Sequence, residues 1–306
     1  MYANTKVGLK ELSFIHINSN NFFGSLSGIS KLRYLSELDV SNNKYTGSFP
    51  TDVLGAKNLV FLDLRFNTFY GAVPREAFQF DLDLLFINNN NFVQNLPDTF
   101  GKTTALYLSL ANNKFVGEIP KSIGDASNTL LEVLFLNNQL TGCLPYEIGF
   151  LKNARVFDVG FNQLTGPIPH SFQCLEKMAL LNLAGNKFYN EVPEAVCRLP
   201  GLLNFTLSYN YFTQVGPECR KLIERGVLHI KMNCILDLPD QRSQMDCARF
   251  FSKLPSCPDK KSLTIIPCPN RYSENQLEVS DVQWATPSPA PAPAPLGLSY
   301  GALSPH

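Results

Sequence analysis

The sequence is first informative for what it lacks. Among its 306 residues there is one tryptophan, there are four histidines, and no cysteine precedes position 143. The histidines are scattered and match neither H-E-x-x-H nor a catalytic-triad pattern. No glycine-rich phosphate loop and no C-x-x-C pair is present. These absences predict a chain that is not an enzyme and that uses no cofactor and no metal.

Charge and hydropathy exclude further classes. Lys and Arg number 26 and Asp and Glu number 26, so the formal net charge is zero, which favours neither nucleic acid nor an anionic membrane as partner. No run of 18 apolar residues occurs, so we predict no transmembrane helix. The first residues contain no apolar segment typical of a signal peptide, and we interpret Met1 as the start of a truncated chain.

What the chain does contain is a repeat. Its template is L-x-L-x-x-N-x-F/L-x-G-x-I/V/L-P, seen most plainly at 108–120. Successive copies are separated by 23 to 25 residues, which indicates a leucine-rich repeat solenoid of nine to ten repeats. The template places its asparagine at Asn20, Asn43, Asn67, Asn90, Asn113, Asn138, Asn162, Asn186 and Asn210, with Asn233 as a degenerate tenth.

The spacing within one repeat has a physical meaning. Leu108 and Leu110 point to the same side of a short strand, because side chains alternate along a strand, and we expect both in the core. Asn113 should turn inward and satisfy backbone groups of its own coil and the next. Gly117 suits a position of positive φ, and Pro120 an extended segment before a convex helical turn.

These features predict an α/β fold, a right-handed leucine-rich repeat superhelix with short parallel strands on its concave face. The predicted boundaries are an incomplete N-terminal edge (1–11), the solenoid with its C-terminal cap (12–238) and a Cys-rich hinge segment (239–269). A Pro-rich disordered tail (270–306) follows, because its Ala-Pro alternation favours solvated polyproline II.

All eight cysteines lie in the second half of the chain. Their even number favours disulfides and an oxidising, extracellular setting, with buried free thiols as the alternative. Cys174 and Cys197 fall 12 and 11 residues after their repeat asparagines, so we predict that they pair across neighbouring coils. The sequence leaves the other six unconnected.

The outward strand positions, two, four and six residues before each asparagine, form the candidate binding surface. Five acids and one arginine occupy them, together with aromatic residues, a combination that suits a basic polypeptide. The alternative is an ordinary concave face on which Leu84, Val156 and Leu180 are covered by neighbours. The predicted peptide-binding residues are Glu37, Asp39, Phe61, Asp63, Phe86, Tyr107, Glu132 and Asp158.

Three longer segments carry a resemblance. The ending of the repeat at 164–169 is similar to the plant-specific class of leucine-rich repeats. The segments 134–149, 210–220 and 241–247 resemble the leucine-rich repeat extensins and their extensin-like relatives. The resemblance implies a secreted cell-wall protein whose repeats bind basic, Cys-rich rapid alkalinization factor peptides, contribute to wall integrity and growth control, and are anchored by a Pro-rich tail. The long Ser-Pro-Pro-Pro-Pro runs of that family are missing, which argues against wall cross-linking through the tail. The Ala-Pro alternation of the tail instead suggests arabinogalactan-type glycosylation.

Two other functions stay open: an inhibitor of a wall-degrading enzyme such as a polygalacturonase, and a mainly structural wall glycoprotein. Contact with wall polysaccharide through the tail and formation of a homodimer are also left open. The only N-x-S/T triplet begins at Asn204, which makes that residue the glycosylation candidate.

Overall fold

One sheet of ten parallel strands forms the concave face of the solenoid. The structure is a computed structural model and describes residues 11–254, Cys257 and Cys268. Each of the first nine strands starts six residues before its repeat asparagine, as predicted. Numbered in chain order with all other strands, they are β1 (Phe14–His16), β3 (Glu37–Asp39), β5 (Phe61–Asp63), β7 (Leu84–Phe86), β9 (Tyr107–Ser109), β11 (Glu132–Leu134), β13 (Val156–Asp158), β15 (Leu180–Asn182), β17 (Asn204–Thr206) and β19 (Leu228–His229).

A second set of strands follows the repeat asparagines and forms the lateral side of each coil. These strands pair in a four-stranded, a two-stranded and a three-stranded sheet, all parallel. They are β2 (Phe23–Gly24), β4 (Lys44–Gly47), β6 (Thr68–Gly71) and β8 (Asn91–Phe92); β10 (Val116–Gly117) and β12 (Gln139–Leu140); β14 (Thr165–Gly166), β16 (Lys187–Glu191) and β18 (Tyr211–Gln214).

Short helices complete the coils on the convex side, where the sequence predicts single helical turns after the prolines. Six are 3-10 helices: Ile29–Lys31, Thr51–Gly55, Phe100–Lys102, Lys121–Asn128, Tyr146–Phe150 and His170–Cys174. The α-helices of the coils are α1 (Arg75–Phe78), α2 (Glu194–Cys197) and α3 (Pro217–Glu224), and α4 (Gln244–Phe251) follows the last coil.

The repeat asparagines hold neighbouring coils together. Asn113 Nδ2 donates to the carbonyl oxygens of Ile87, Leu110 and Ala111 at 3.0–3.2 Å, and its Oδ1 accepts from Phe92 N–H at 3.0 Å. Asn233 makes the same set of bonds, so the degenerate tenth repeat is a full member of the ladder. The predicted inward orientation of Asn113 is therefore confirmed.

Leucines and phenylalanines fill the interior along the whole solenoid. Leu108 and Leu110 are buried, and Phe69 stacks on Phe92 with ring centroids 6.2 Å apart. Burying such a side chain stabilises the fold by about 1.5–3 kcal/mol. Because each coil buries its apolar face only against its neighbours, stacking supplies this energy.

The segment after the last coil packs back onto the solenoid, and we call residues 239–254 with Cys257 and Cys268 the C-terminal strap. Phe250 of α4 stacks on Tyr211, with ring centroids 3.6 Å apart. Arg242 lies 4.2 Å from the centre of the same Tyr211 ring and donates from Nε to Asn210 O. The strap thus covers the C-terminal end of the lateral side.

All eight cysteines form disulfides, which confirms the prediction of disulfides over free thiols. Two bonds tie the strap to much earlier coils, and Gly166 is required there because an added Cβ would collide with Cys257 Sγ. The four bonds are Cys143–Cys257, Cys174–Cys268, Cys197–Cys219 and Cys234–Cys247.

The predicted pairing of Cys174 with Cys197 is wrong. Cys174 ends a 3-10 helix whereas Cys197 ends the α-helix α2, and the two helix types turn by different angles per residue, so similar offsets from the asparagines place these cysteines on different sides of their coils. Cys197 lies in the hydrophobic core, where it meets Cys219 of α3. Cys174 lies outside that core cluster and bonds instead to Cys268 of the strap.

Candidate functional site

The outward residues of the concave sheet lie in straight rows, because neighbouring strands pair without a shift. Glu37 is paired with Phe61, and Asp39 with Asp63. Parallel strands lie about 4.8 Å apart, so side chains in one row are direct neighbours. The register therefore places the predicted residues of the early coils side by side.

Five of the predicted residues form one accessible group, which we call the acid–aromatic patch: Glu37, Asp39, Phe61, Phe86 and Tyr107. The first four are half-buried and Tyr107 is 36% exposed. They lie on the four neighbouring strands β3, β5, β7 and β9. The patch combines carboxylates with aromatic surface, which can attract a cation and also bury apolar area.

Two predicted acids are not accessible. Asp63 and Asp158 are both 0% exposed, so the expectation that they face solvent is wrong. Their Oδ1 atoms accept from the backbone N–H two residues later, that of Arg65 at 3.0 Å and that of Gly160 at 2.8 Å. A short acid at this position therefore satisfies the turn after the strand.

Asp63 also forms a buried ion pair. Its Oδ2 lies 2.8 Å from Arg65 Nε, and the two side chains are 0% and 5% exposed. Burial raises the pKa of Asp63 to about 7, although the charge and the backbone N–H of Arg65 lower it. The Arg65 guanidinium lies 5.2 Å from the centre of the Phe86 ring, so it supports the patch from below.

Arg65 is the residue whose role the sequence did not reveal. The available signal was its position two residues after Asp63, on the same face of the strand. With the charge of Asp63 balanced by Arg65, the negative charge of the early coils comes from Glu37 and Asp39. Asp39 Oδ1 accepts from Ser41 N–H at 2.9 Å.

The first coil extends the patch with a histidine. His16 Nε2 lies 2.9 Å from Glu37 Oε2, and both side chains are about half exposed (46% and 45%). The imidazole ring lies between Phe14 and Phe61, with centroids 5.8 and 6.3 Å away. An aromatic edge therefore borders the acids on the side of β1.

Farther along the sheet the surface becomes apolar. A hydrophobic cluster separate from the main core contains Ala111, Leu134, Val156 and Leu180, with Phe86 and Leu136 packed against it. Val156 and Leu180 are buried, as one alternative in the sequence predicted. Glu132 is half-buried beside this cluster, and burial raises its pKa while Arg155 lowers it. It lies on β11, next to Tyr107 and outside the acid–aromatic patch.

Asn204 lies at the start of β17, near the far end of the same face. It is half-exposed, and its Oδ1 accepts from Thr206 Oγ1 at 2.9 Å. Within the part of the chain that the structure describes, no group of three or more His, Cys, Asp or Glu residues could hold a metal ion. No helix among those residues is long and apolar enough to span a bilayer.

Comparison with known proteins agrees with this architecture. A family model described as Leucine Rich Repeat matches residues 106–126 and 153–175, which contain β9 and β13 with the segments that follow them. The chain therefore has the leucine-rich repeat fold.

Its curated relatives in Arabidopsis thaliana include leucine-rich repeat extensin-like protein 7, 40% identical over 180 residues (59% of this chain and 41% of the relative). Extensin-like protein 2 is 42% identical over 155 residues (50% and 20%), and extensin-like protein 6 is 46% identical over 83 residues (27% and 18%). These matches confirm the resemblance to the extensin-like family, although the chain spans less than half the length of each relative.

Solved structures show the same fold. The ectodomain of the Arabidopsis thaliana receptor kinase GASSHO1/SCHENGEN3, in complex with CASPARIAN STRIP INTEGRITY FACTOR 2, superposes with a TM-score of 0.68 at 30% identity over 72% of this chain and 27% of the receptor. The Arabidopsis receptor kinase HAESA, with the peptide hormone IDA and the co-receptor SERK1, gives 0.68 at 28% identity over 72% and 38%.

Proposed function

We propose that this protein is a non-enzymatic extracellular scaffold that binds a basic, Cys-rich peptide of the rapid alkalinization factor type on the N-terminal half of its concave face. Such binding would contribute to cell-wall integrity and growth control. The site is the acid–aromatic patch, with Phe14 and His16 at its edge.

The patch is the observation that carries the proposal. Glu37 and Asp39 are accessible carboxylates, and Phe61 on the adjoining strand adds an aromatic side chain in register with Glu37. Exposed carboxylates accelerate the encounter with a cationic ligand, whereas buried aromatic area slows its release. Glu132 and the buried acids Asp63 and Asp158 have a smaller part in this proposal than the sequence suggests.

The relatives support the same class of function. The two receptor kinase structures above were solved in complex with CASPARIAN STRIP INTEGRITY FACTOR 2 and with the peptide hormone IDA, and each match covers 72% of this chain. The extensin-like names of the sequence relatives favour the plant cell wall as location. Four disulfides fit an oxidising, extracellular environment, because such bonds persist there.

Charge reversal tests the electrostatic part. The probe is a synthetic, oxidised peptide of the rapid alkalinization factor type, and its association rate is measured at several salt concentrations. Glu37→Lys with Asp39→Lys should slow association about tenfold at low salt and flatten the salt dependence. The matched control reverses two exposed acids away from the sheet, Asp98→Lys with Asp125→Lys, and should leave the rate within about twofold.

Aromatic truncation tests the contact part. Phe61→Ala should mainly raise the dissociation rate of the same probe, corresponding to about 1–3 kcal/mol if Phe61 anchors the ligand. Equal rates for the parent and both patch variants would refute the proposal. A pull-down from cell-wall extract separates the alternative functions. Recovery of a polygalacturonase-type enzyme would favour the inhibitor alternative, and recovery of carbohydrate alone would favour the structural alternative.

A further inference from the structure

Strand β17 carries a complete acceptor site for N-linked glycosylation. The triplet Asn204-Phe205-Thr206 is the only N-x-S/T sequence in the chain. Because side chains alternate along the strand, Phe205 is buried in the core while Asn204 and Thr206 both face outward and are half-exposed. Thr206 Oγ1 donates to Asn204 Oδ1 at 2.9 Å, which leaves the Asn204 amide nitrogen to carry a substituent.

The surroundings of Asn204 leave room for a bulky group. The preceding residue, Leu203, is 53% exposed, so this rim of the sheet is open. Leu180, which pairs with Asn204 on the neighbouring strand, is already buried in the apolar cluster, while the polar residues Asn182 and Ser208 nearby are half-exposed. A sugar on Asn204 would therefore displace no packed side chain.

The same end of the sheet offers a basic ligand less than the acid–aromatic patch does. His229 of β19 and Lys231 just after it are exposed, and Lys231 Nζ lies 3.1 Å from Asp240 Oδ2, whereas the carboxylates of the patch lie at β3. The concave face thus changes from acidic and aromatic at its N-terminal end to polar, with an ion-paired lysine, at its C-terminal end. A cationic peptide would gain nothing by extending that far.

We propose that Asn204 carries an N-linked glycan that shields the C-terminal third of the concave face, β15 to β19, and confines a ligand to the coils of β1 to β11. In the transfer, Asn204 Nδ2 forms a bond to the anomeric carbon of an oligosaccharide held by a polyprenyl diphosphate. The bond from that carbon to the diphosphate oxygen breaks, the diphosphate leaves with the electron pair, and Nδ2 loses one proton. The confinement of a ligand by the glycan rests on the proposed function, whereas the glycosylation of Asn204 does not depend on it.

The modification is tested by mass spectrometry of the full chain secreted from eukaryotic cells. Amidase release in ¹⁸O water should convert Asn204 to labelled Asp in the parent and in Thr206→Ser, whose hydroxyl restores the acceptor. Asn204→Gln and Thr206→Ala should carry no sugar. Folded, secreted parent protein with unmodified Asn204 would overturn the proposal.

Moving the glycan to another strand tests which part of the concave face the ligand covers. Tyr107→Asn creates a new acceptor in one step, because Ser109 already follows two residues later on β9. In an Asn204→Gln background, glycosylated Tyr107→Asn should bind the synthetic basic peptide at least tenfold more weakly than Tyr107→Gln, its sugar-free control. The sugar at Asn204 itself should change the affinity less than twofold.

The outcomes separate the two proposals. A gain of tenfold or more on removing the Asn204 glycan would show that it overlies the ligand path and would refute the confined footprint. Failure of every form, parent included, to bind the probe would refute the peptide-binding function and the shielding of a ligand, while the mass measurement still decides whether Asn204 is modified.

Discussion

Replacing Asn113 by alanine removes four hydrogen bonds from the middle of the asparagine ladder. The structure predicts that these four bonds differ in how much their loss destabilises the fold. The side chain is only 8% exposed, so water cannot replace it. Phe92 N–H donates to Asn113 Oδ1 at 3.0 Å and loses that acceptor in the variant. A buried donor left without a partner costs about 1–3 kcal/mol.

The three carbonyl oxygens are less affected, because each keeps a second donor, supplied by Asn90 Nδ2, Asn138 Nδ2 and the Asn89 N–H respectively. Adding their weakened bonds to the orphaned Phe92 N–H, we expect Asn113→Ala to lower the free energy of unfolding by about 2–4 kcal/mol.

Urea unfolding followed by circular dichroism measures the change, with the slope of the transition checked for constancy. Lys114→Ala, at the exposed neighbouring position, is the matched control and should lie within about 0.5 kcal/mol of the parent. Asn20→Ala, at an exposed asparagine of the first coil, should cost less than about 1 kcal/mol. Similar losses at Asn20 and Asn113 would refute the argument that burial of the amide sets the cost.

Two further predictions concern single groups. Because the pKa of Asp63 is raised to about 7, the folded state holds a proton that the unfolded state releases near pH 4. The free energy of unfolding should therefore fall as pH rises from about 4 to 7, by up to about 1.4 kcal/mol per pH unit. Urea titrations across this range should show a flatter pH dependence for Asp63→Asn than for the parent. Replacing both Cys197 and Cys219 by serine opens a loop of 22 residues and should lower the free energy of unfolding by about 3 kcal/mol. Non-reduced peptide mapping of the parent should find Cys197 joined to Cys219, and a Cys197–Cys174 peptide would contradict the structure.

The sequence predicted those parts of the fold that repeat. Leucine spacing and the asparagine interval determine which side chains enter the core, so the strand positions, the buried ladder and the convex turns followed directly. Val156 and Leu180 were recognised as residues that neighbours could cover. These inferences depend only on alternation along a strand and on stacking of like positions.

The sequence did not predict interactions that depend on the direction of a side chain around a helix or on the local turn within a single coil. Cys197 bonds to Cys219 and not to Cys174, because the helices that follow the repeat asparagines differ in type from coil to coil. Asp63 and Asp158 are of a residue type that usually lies at the surface, but each carboxylate accepts a hydrogen bond from a nearby backbone N–H and is buried. Their exposure could not be read from alternation alone, because the turn after the strand competes with solvent for the carboxylate.

The bond between Cys174 and Cys268 also determines where the molecule bears mechanical load. A pull on the chain beyond residue 268 enters the solenoid at Cys174, in the coil of Asn162, and not at the last coil. The three coils that follow stay outside the line of force. The pull acts from the convex side, opposite the concave sheet. Removing Cys268 would shift the point of attachment through Cys257 to Cys143, one coil nearer the acid–aromatic patch.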